Sequence, residues 1–205
     1  MTDILTICAT DTNAGKTFVT RLIYTCLGGR GKAVTVFKPI QTGYPEDNDL
    51  SYCGGAPLVS FRPACSPHLA AELAGTEIDI PALAAQIRKP CLVETAGGLF
   101  TPLRRPDRTN LDLIRLLDSP VLLVVPNKLG CVNHALLSLE ALAVRKIPCL
   151  GFVMNAPQPG TAGFIEKDNP GTIADFSGVP CLGEIGFGAS VLPAPLLEKL
   201  AAVFP

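Results

Sequence analysis

An apolar run, residues 5–9, leads into a loop that closes with Gly15, Lys16 and Thr17, and a helical pattern follows to about residue 26. This junction restricts the possible folds more than any other stretch. A strand without polar alternation is covered on both faces, which is the habit of parallel sheets. Parallel neighbours need a long crossover, usually a helix. The rest of the chain keeps that rhythm. "AVTVFK" reads as a β-branched strand that stops at Pro39, "CLVE" as a short buried strand, and "PVLLVVP", "PCLGFVMN" and "PCLGEI" as three more. "SPHLAAEL", "IPALAAQIR", "NLDLIRLL", "NHALLSLEALAVRK" and "APLLEKLAAVF" read as helices, with Asn110 as the expected N-cap of the third. The chain is 48% hydrophobic and only 17% charged, which a sheet covered on both faces explains. At 205 residues, with no internal repeat and no linker, the expectation is one α/β domain over 1–205, its mostly parallel sheet wrapped by helices on both sides. Two stretches, 41–63 and 156–172, are rich in Gly, Pro and polar residues and fit neither pattern.

Charge and cysteines narrow the function classes. The formal net charge is −1 and no long basic run is present, so nucleic acid is not the expected partner. Every apolar stretch breaks at Pro, Gly or a charge before reaching a membrane-spanning length. The start, with Asp3 and no basic region, does not read as a signal peptide. None of the eight cysteines sits in a C-x-x-C pair. Cys8, Cys91, Cys149 and Cys181 lie in or beside apolar runs and read as small buried hydrophobes, consistent with a reducing, cytoplasmic location.

The chemistry concentrates where strands end. In "ATDTNAGKT" Gly15 lets the backbone approach a phosphate, Lys16 can reach β- and γ-phosphate oxygens, and the Thr17 hydroxyl suits Mg²⁺. The common phosphate loop, G-x-x-x-x-G-K-[ST], would place its first glycine at position 10, where Thr10 stands. The competing reading is a plain strand–turn–helix joint. Glu94 ends a buried strand beside "TAGG", well placed for a metal or, alternatively, for capping the loop. Asp47 and Asp49 form a second acidic candidate, with Asp47 better read as an acid at a helix start. Lys38 closes its strand and suits an anionic phosphate or intermediate, or else snorkels past Pro39; Thr42 follows in the same loop. His68 and His134 belong to no Ser/His/acid set and no G-x-S-x-G exists, so they read as structural.

In order, "TDTNAGKT", "KPIQTG", "SPHLAAE", "ETAGGLFTPL", "NKLGCVNHALLSLEAL", "GFVMN" and "PCLGEI" resemble the motifs of the dethiobiotin synthetases. The resemblance covers nearly the whole chain. It implies a P-loop NTPase-like three-layer sandwich. It also implies an ATP- and Mg²⁺-dependent reaction joining 7,8-diaminononanoate and CO2 into a cyclic urea through a carbamate and a carbamic-phosphoric anhydride. The family's loop has one more residue than the common pattern, and Thr10 is in its register. By this resemblance Lys16, Lys38 and Thr12 are catalytic, and Thr12, Lys38 and Thr42 hold the reacting end of the substrate. The nucleotide lies on Asn13, Ala14, Gly15, Lys16, Thr17 and Phe18, with Thr95, Ala96 and Gly97 beside it. Thr17, Asp49 and Glu94 hold Mg²⁺. Asn155 reads adenine, and Ile185, Gly186, Phe187 and Gly188 pass along it. Gly130, Cys131, Val132 and Asn133 receive the substrate carboxylate across the two-fold axis of a homodimer.

Three positions differ from the family pattern: Ala9 and Thr95 stand where glycine is usual, and Gly186 where proline is common. Two rival classes are weighed. One is a related ATP-dependent amidation synthetase of the cobyrinate type. The other is a partitioning-type ATPase switch, whose loop carries an early second lysine, K-G-G-x-G-K-[ST]; this chain has none there.

Overall fold

The computed structural model describes residues 3–156, 158–160 and 163–205. Met1 and Thr2 of the leader reading, and Pro157, Thr161 and Ala162 of the unassigned stretch 156–172, lie outside the described residues. Six strands form a parallel sheet: β1 (Ile4–Ala9), β2 (Thr35–Phe37), β5 (Cys91–Gly98), β8 (Val121–Pro126), β9 (Cys149–Asn155) and β10 (Cys181–Ile185), in the order β10-β9-β8-β1-β5-β2. β1 lies in the middle, paired in parallel with β5 on one side and β8 on the other.

Side chains of a strand alternate between its faces, and here both faces are apolar. Leu5 and Ile7 of β1, with Leu122 and Val124 of β8, meet Val19 and Ile23 of α1 (Lys16–Gly29) and Leu196 and Leu200 of α7 (Ala194–Val203). Leu123 and Val125 of β8 face the opposite way, toward Ala135 and Leu139 of α5 (Cys131–Val144) and Ile173 of α6 (Phe164–Ser177). Leu113 and Leu117 of α4 (Asn110–Leu117) pack with Ala70 of α2 (Pro67–Leu73) and Leu83 of α3 (Ile80–Gln86). The expected sheet with helices on both faces is therefore the observed one.

Local differences have physical causes. The stretch 41–63 holds all but Ile40 of a two-stranded parallel pair, β3 (Ile40–Thr42) with β4 (Val59–Phe61), and a 3-10 turn, Ser51–Cys53. Strands of three residues are too short to show a period of two. Within 156–172 the helix α6 begins at Phe164. It was hidden because Pro170 lies inside it and only Asn169 and Ile173 are buried, so no apolar stripe marks it. A small antiparallel pair, β6 (Pro102–Arg104) and β7 (Arg108–Thr109), was also unforeseen.

The N-cap of α4 is Thr109, not Asn110: Thr109 accepts the cap role with Asp112, whose carboxylate receives the Thr109 backbone N–H at 2.8 Å. Asn110 instead turns its side-chain amide to the carbonyls of Ala96 and Gly98, at 2.7 Å each, and pins the end of β5. α5 starts two residues before the expected Asn133, behind Gly130 at φ +87°. Cys8 and Cys91 are fully buried, Cys149 and Cys181 half-buried, and all eight cysteines are free. Among the described residues no helix is long and apolar enough to cross a membrane.

Asn110→Ala is expected to lower stability by about 2 kcal/mol, because two carbonyls at the end of β5 lose their donor. Urea unfolding measures the loss, and faster amide exchange over residues 95–98 locates it.

Candidate active site

Ligands in open α/β sheets bind beyond the carboxyl ends of the strands, and the charged side chains gather there. The loop after β1 places Asn13 at φ +60° and Gly15 at φ +93°. Asparagine and glycine are the residues that accept this left-handed conformation. Turns of this kind point successive N–H groups into a concavity that suits anions, with the start of α1 behind it. A side chain at Gly15 would collide with Asn155, whose side-chain amide donates to the Ala14 carbonyl at 2.9 Å. The last residue of β9 thus clamps the loop after β1.

Lys16 is buried and folds back onto the loop, its ammonium 3.3 Å from the Asp11 carbonyl. Burial pushes its pKa down; the Cys8 thiol pulls it up, Lys38 lowers it further, and Glu94 and Asp49 oppose that.

Lys38, immediately after β2, lies at the centre of the site. Its Nζ is 2.6 Å from Asp49 Oδ2 and 2.7 Å from Glu94 Oε1. The Thr17 hydroxyl is 3.0 Å from Asp49 Oδ1 and 2.8 Å from Glu94 Oε1. Burial disfavours the Lys38 charge, but the two carboxylates outweigh it and raise its pKa. Burial likewise raises Asp49, but Lys38 outweighs this and holds Asp49 below its ordinary value. The Lys38 contribution to stability is present below the ordinary lysine value of about 10.4 and is lost as pH rises through its raised value. That of Asp49 is present above about 3.9 and is lost as pH falls through its lowered value. Lys38 and Asp49 are therefore both charged across the neutral range.

These groups line one cavity of about 910 Å³. It runs from Thr12, Asn13, Gly15, Lys16 and Thr17 past Lys38, Asp49 and Glu94 to Thr42, with Ala96 and Gly97 on its wall. Gln41, Ser66 and Thr101 also line it. Ser66 and Thr101 stand inside the motifs "SPHLAAE" and "ETAGGLFTPL", which was the signal for them. Gln41 carried none.

Other expected site residues lie elsewhere. Ala14 is in the core, and Phe18 packs partly against it. Thr95 is buried with its hydroxyl 3.4 Å from the Ile7 carbonyl, so its side chain turns into the sheet rather than toward the cavity. Ile185 is a core residue whose carbonyl accepts from Ala156, leaving Gly186, Phe187 and Gly188 exposed beyond it. Cys131 is buried and Val132 packs beside it, so of the stretch 130–133 only Gly130 and Asn133 are exposed. Asp47 does not start a helix: its N–H donates to the Gly43 carbonyl at 2.8 Å, in a turn.

Mg²⁺ takes hard oxygen donors and keeps several waters alongside one or two carboxylates. The Thr17 hydroxyl and the Asp49 and Glu94 carboxylates are such a set, and the buried Oε2 of Glu94 has no hydrogen-bond partner among the described residues. The residues fit the ion. Among the described residues no cluster of three or more His, Cys, Asp or Glu competes for it.

Comparisons with known proteins bear on the family and the fold. Residues 55–193 match the family model described as "AAA domain". The chain is 37% identical to an ATP-dependent dethiobiotin synthetase BioD of Lysinibacillus sphaericus, over 95% of this chain and 87% of that protein. It is 35% identical to one of Mycobacteroides abscessus, over 97% and 93%. Among solved structures, a ParA family ATPase from Chlorobium tepidum superposes with a TM-score of 0.57 at 12% identity, over 97% of this chain and 90% of that one. The MinC:MinD cell division complex of Aquifex aeolicus gives 0.55 at 15%, over 98% and 86%. At such identities the structures show the fold alone: a parallel sheet covered by helices on both faces.

Lys38→Met leaves two carboxylates facing each other without their shared cation. Loss of one partner of a buried ion pair is expected to cost about 3 kcal/mol in urea unfolding near pH 8. Adding Glu94→Gln should recover at least half of it. Additive losses in the double variant contradict the cluster.

Proposed function

Because the chain belongs to the ATP-dependent dethiobiotin synthetase family, we propose that this cavity closes the cyclic urea of dethiobiotin, with the residues on its wall in the roles that follow. The overall activity comes with membership: ATP-dependent dethiobiotin synthesis, a cyclo-ligase step of biotin biosynthesis. The observation that carries the finer reading is the meeting of Lys16, Thr17, Lys38, Asp49 and Glu94 in the cavity that also holds Thr12 and Thr42.

The substrates are 7,8-diaminononanoate, CO2 and ATP. One amine captures CO2 as a carbamate and releases a proton. A carbamate oxygen attacks the γ-phosphorus and ADP leaves, giving a mixed anhydride. The second amine attacks the carbonyl carbon, the C–O bond to phosphate breaks, and the ring closes. Both reacting partners are anionic, so the site needs cations and N–H donors rather than a strong base. Lys16 and the loop 12–17 hold the phosphates. Lys38 neutralises the carbamate, and the Thr12 and Thr42 hydroxyls orient it. Thr17, Asp49 and Glu94 would hold Mg²⁺, which when bound neutralises phosphate charge. Asn155 turns its amide to Ala14, and its buried Oδ1 has no partner among the described residues. That acceptor suits the exocyclic amine of adenine.

The far end of the substrate is a carboxylate, and the start of α5 suits it. Helix N-termini carry free N–H groups and a positive dipole end, and Gly130 and Asn133 are exposed there. Leu129, Leu137 of α5 and Leu116 of α4 are exposed apolar residues of this helix layer, which supports a homodimer placing that helix start over the partner's cavity. The likeness to ParA and MinD structures carries no function at its identity, and the early second lysine of such switches is missing from the loop.

The reaction is tested by supplying ATP, Mg²⁺, bicarbonate and diaminononanoate and detecting the cyclic urea by mass. Lys16→Gln should lower turnover at least about 10²-fold with the fold intact by circular dichroism; near-normal turnover contradicts its phosphate role. Gly130→Trp should raise the KM for diaminononanoate and spare ATP affinity. Sedimentation should show a dimer, and a fully active monomer contradicts the shared site.

A further inference from the structure

Tyr52 belongs to none of the roles above, yet the structure ties it to the site. Segment 48–53 winds in consecutive 3-10 turns, with the N–H of Ser51 on the Asn48 carbonyl and that of Cys53 on the Leu50 carbonyl. Side chains three apart in such turns eclipse, so Asp49 and Tyr52 share a side. On α1, Thr17 and Tyr24 are seven residues apart and share a face to within about 20°. The two faces meet in two rungs. Thr17 donates to Asp49 at 3.0 Å, and the Tyr24 and Tyr52 rings lie 5.9 Å apart at 60°. Glu94 joins the first rung through Thr17.

The Tyr52 hydroxyl and Glu94 Oε2 are both buried and without a hydrogen-bond partner among the described residues. A phenol donates and a carboxylate only accepts, and buried polar atoms are satisfied by protein or ordered water. We propose that the Tyr52 hydroxyl is a positioning group for Glu94. It donates to Oε2 through one bridging water and so keeps Oε1 toward Thr17 and Lys38. Electrostatics agree: burial pushes the Tyr52 phenol well above its ordinary range, and among charged neighbours Glu94 contributes most. The inference rests on the reading of Glu94 as a metal carboxylate. Groups that orient a ligating carboxylate typically matter 10- to 100-fold in metal affinity.

The test compares the full chain with Tyr52→Phe and Glu94→Gln, with Mn²⁺ as probe, followed by electron paramagnetic resonance beside a non-hydrolysable ATP analogue. Tyr52→Phe keeps the ring on Tyr24 and should weaken Mn²⁺ about tenfold. Metal-free nucleotide affinity and the urea midpoint should hold, and turnover should recover at saturating metal. A lost packing contact would not give that split. Wild-type Mn²⁺ affinity in Tyr52→Phe, with affinity lost in Glu94→Gln, overturns the role of Tyr52 alone. Unchanged affinity in Glu94→Gln overturns the metal reading instead. Independently of metal, the ¹³Cζ resonance of Tyr52 should move when Glu94 is replaced by Gln, and an unmoved resonance overturns the hydrogen bond.

Discussion

The ammonium of Lys38, shared between Glu94 and Asp49, is the interaction on which the site depends. It joins the end of β2 and the middle of its neighbour β5 to the loop that carries Asp49, and Thr17 extends the join to α1. Buried charge of this kind is expensive to desolvate, and an apolar replacement is often as stable or more so. The arrangement makes sense as chemistry. The same cation and carboxylates that satisfy one another in the protein are the groups that an anionic carbamate and a phosphate-bound cation require.

Around this cluster the fold supplies rigid support from both sides. Asn155, at the end of β9, holds the loop after β1 from below, and Asn110, at the start of α4, holds the end of β5. Both are amides reaching backbone carbonyls across more than one element. Asn155 fixes a loop whose backbone must face a ligand and so cannot bond within regular structure, and Asn110 fixes the last residues of β5.

The family departures are absorbed by the same geometry. Ala9 ends β1 as an ordinary strand residue, paired with Val124 and outside the left-handed region, so the glycine usual there is not required. Thr95 turns its side chain into the sheet, where its hydroxyl reaches the Ile7 carbonyl. A side chain at the exposed Gly186 would meet open space. None of the three crowds the cavity.

The sequence by itself determined the sheet, its two-sided cover and the lysine, threonine and carboxylate of the site, but Glu94 does not end its strand as expected: β5 runs on to Gly98. Long apolar runs and a glycine–lysine–threonine triplet are local signals of burial and phosphate chemistry, so they survive without coordinates. The short β3–β4 and β6–β7 pairs and α6 were illegible because three-residue strands show no period and Pro170 interrupts a helix with little buried surface. Only the tertiary structure decided that Lys38, Asp49 and Glu94 share one ion cluster, that Thr95, Ile185 and Cys131 bury their side chains, and that Tyr52 stands beside the site. Each of those depends on the direction of a side chain from elements far apart in the chain. Direction is set by the twist and register of the sheet and by packing against neighbouring helices, which no local pattern of residues encodes.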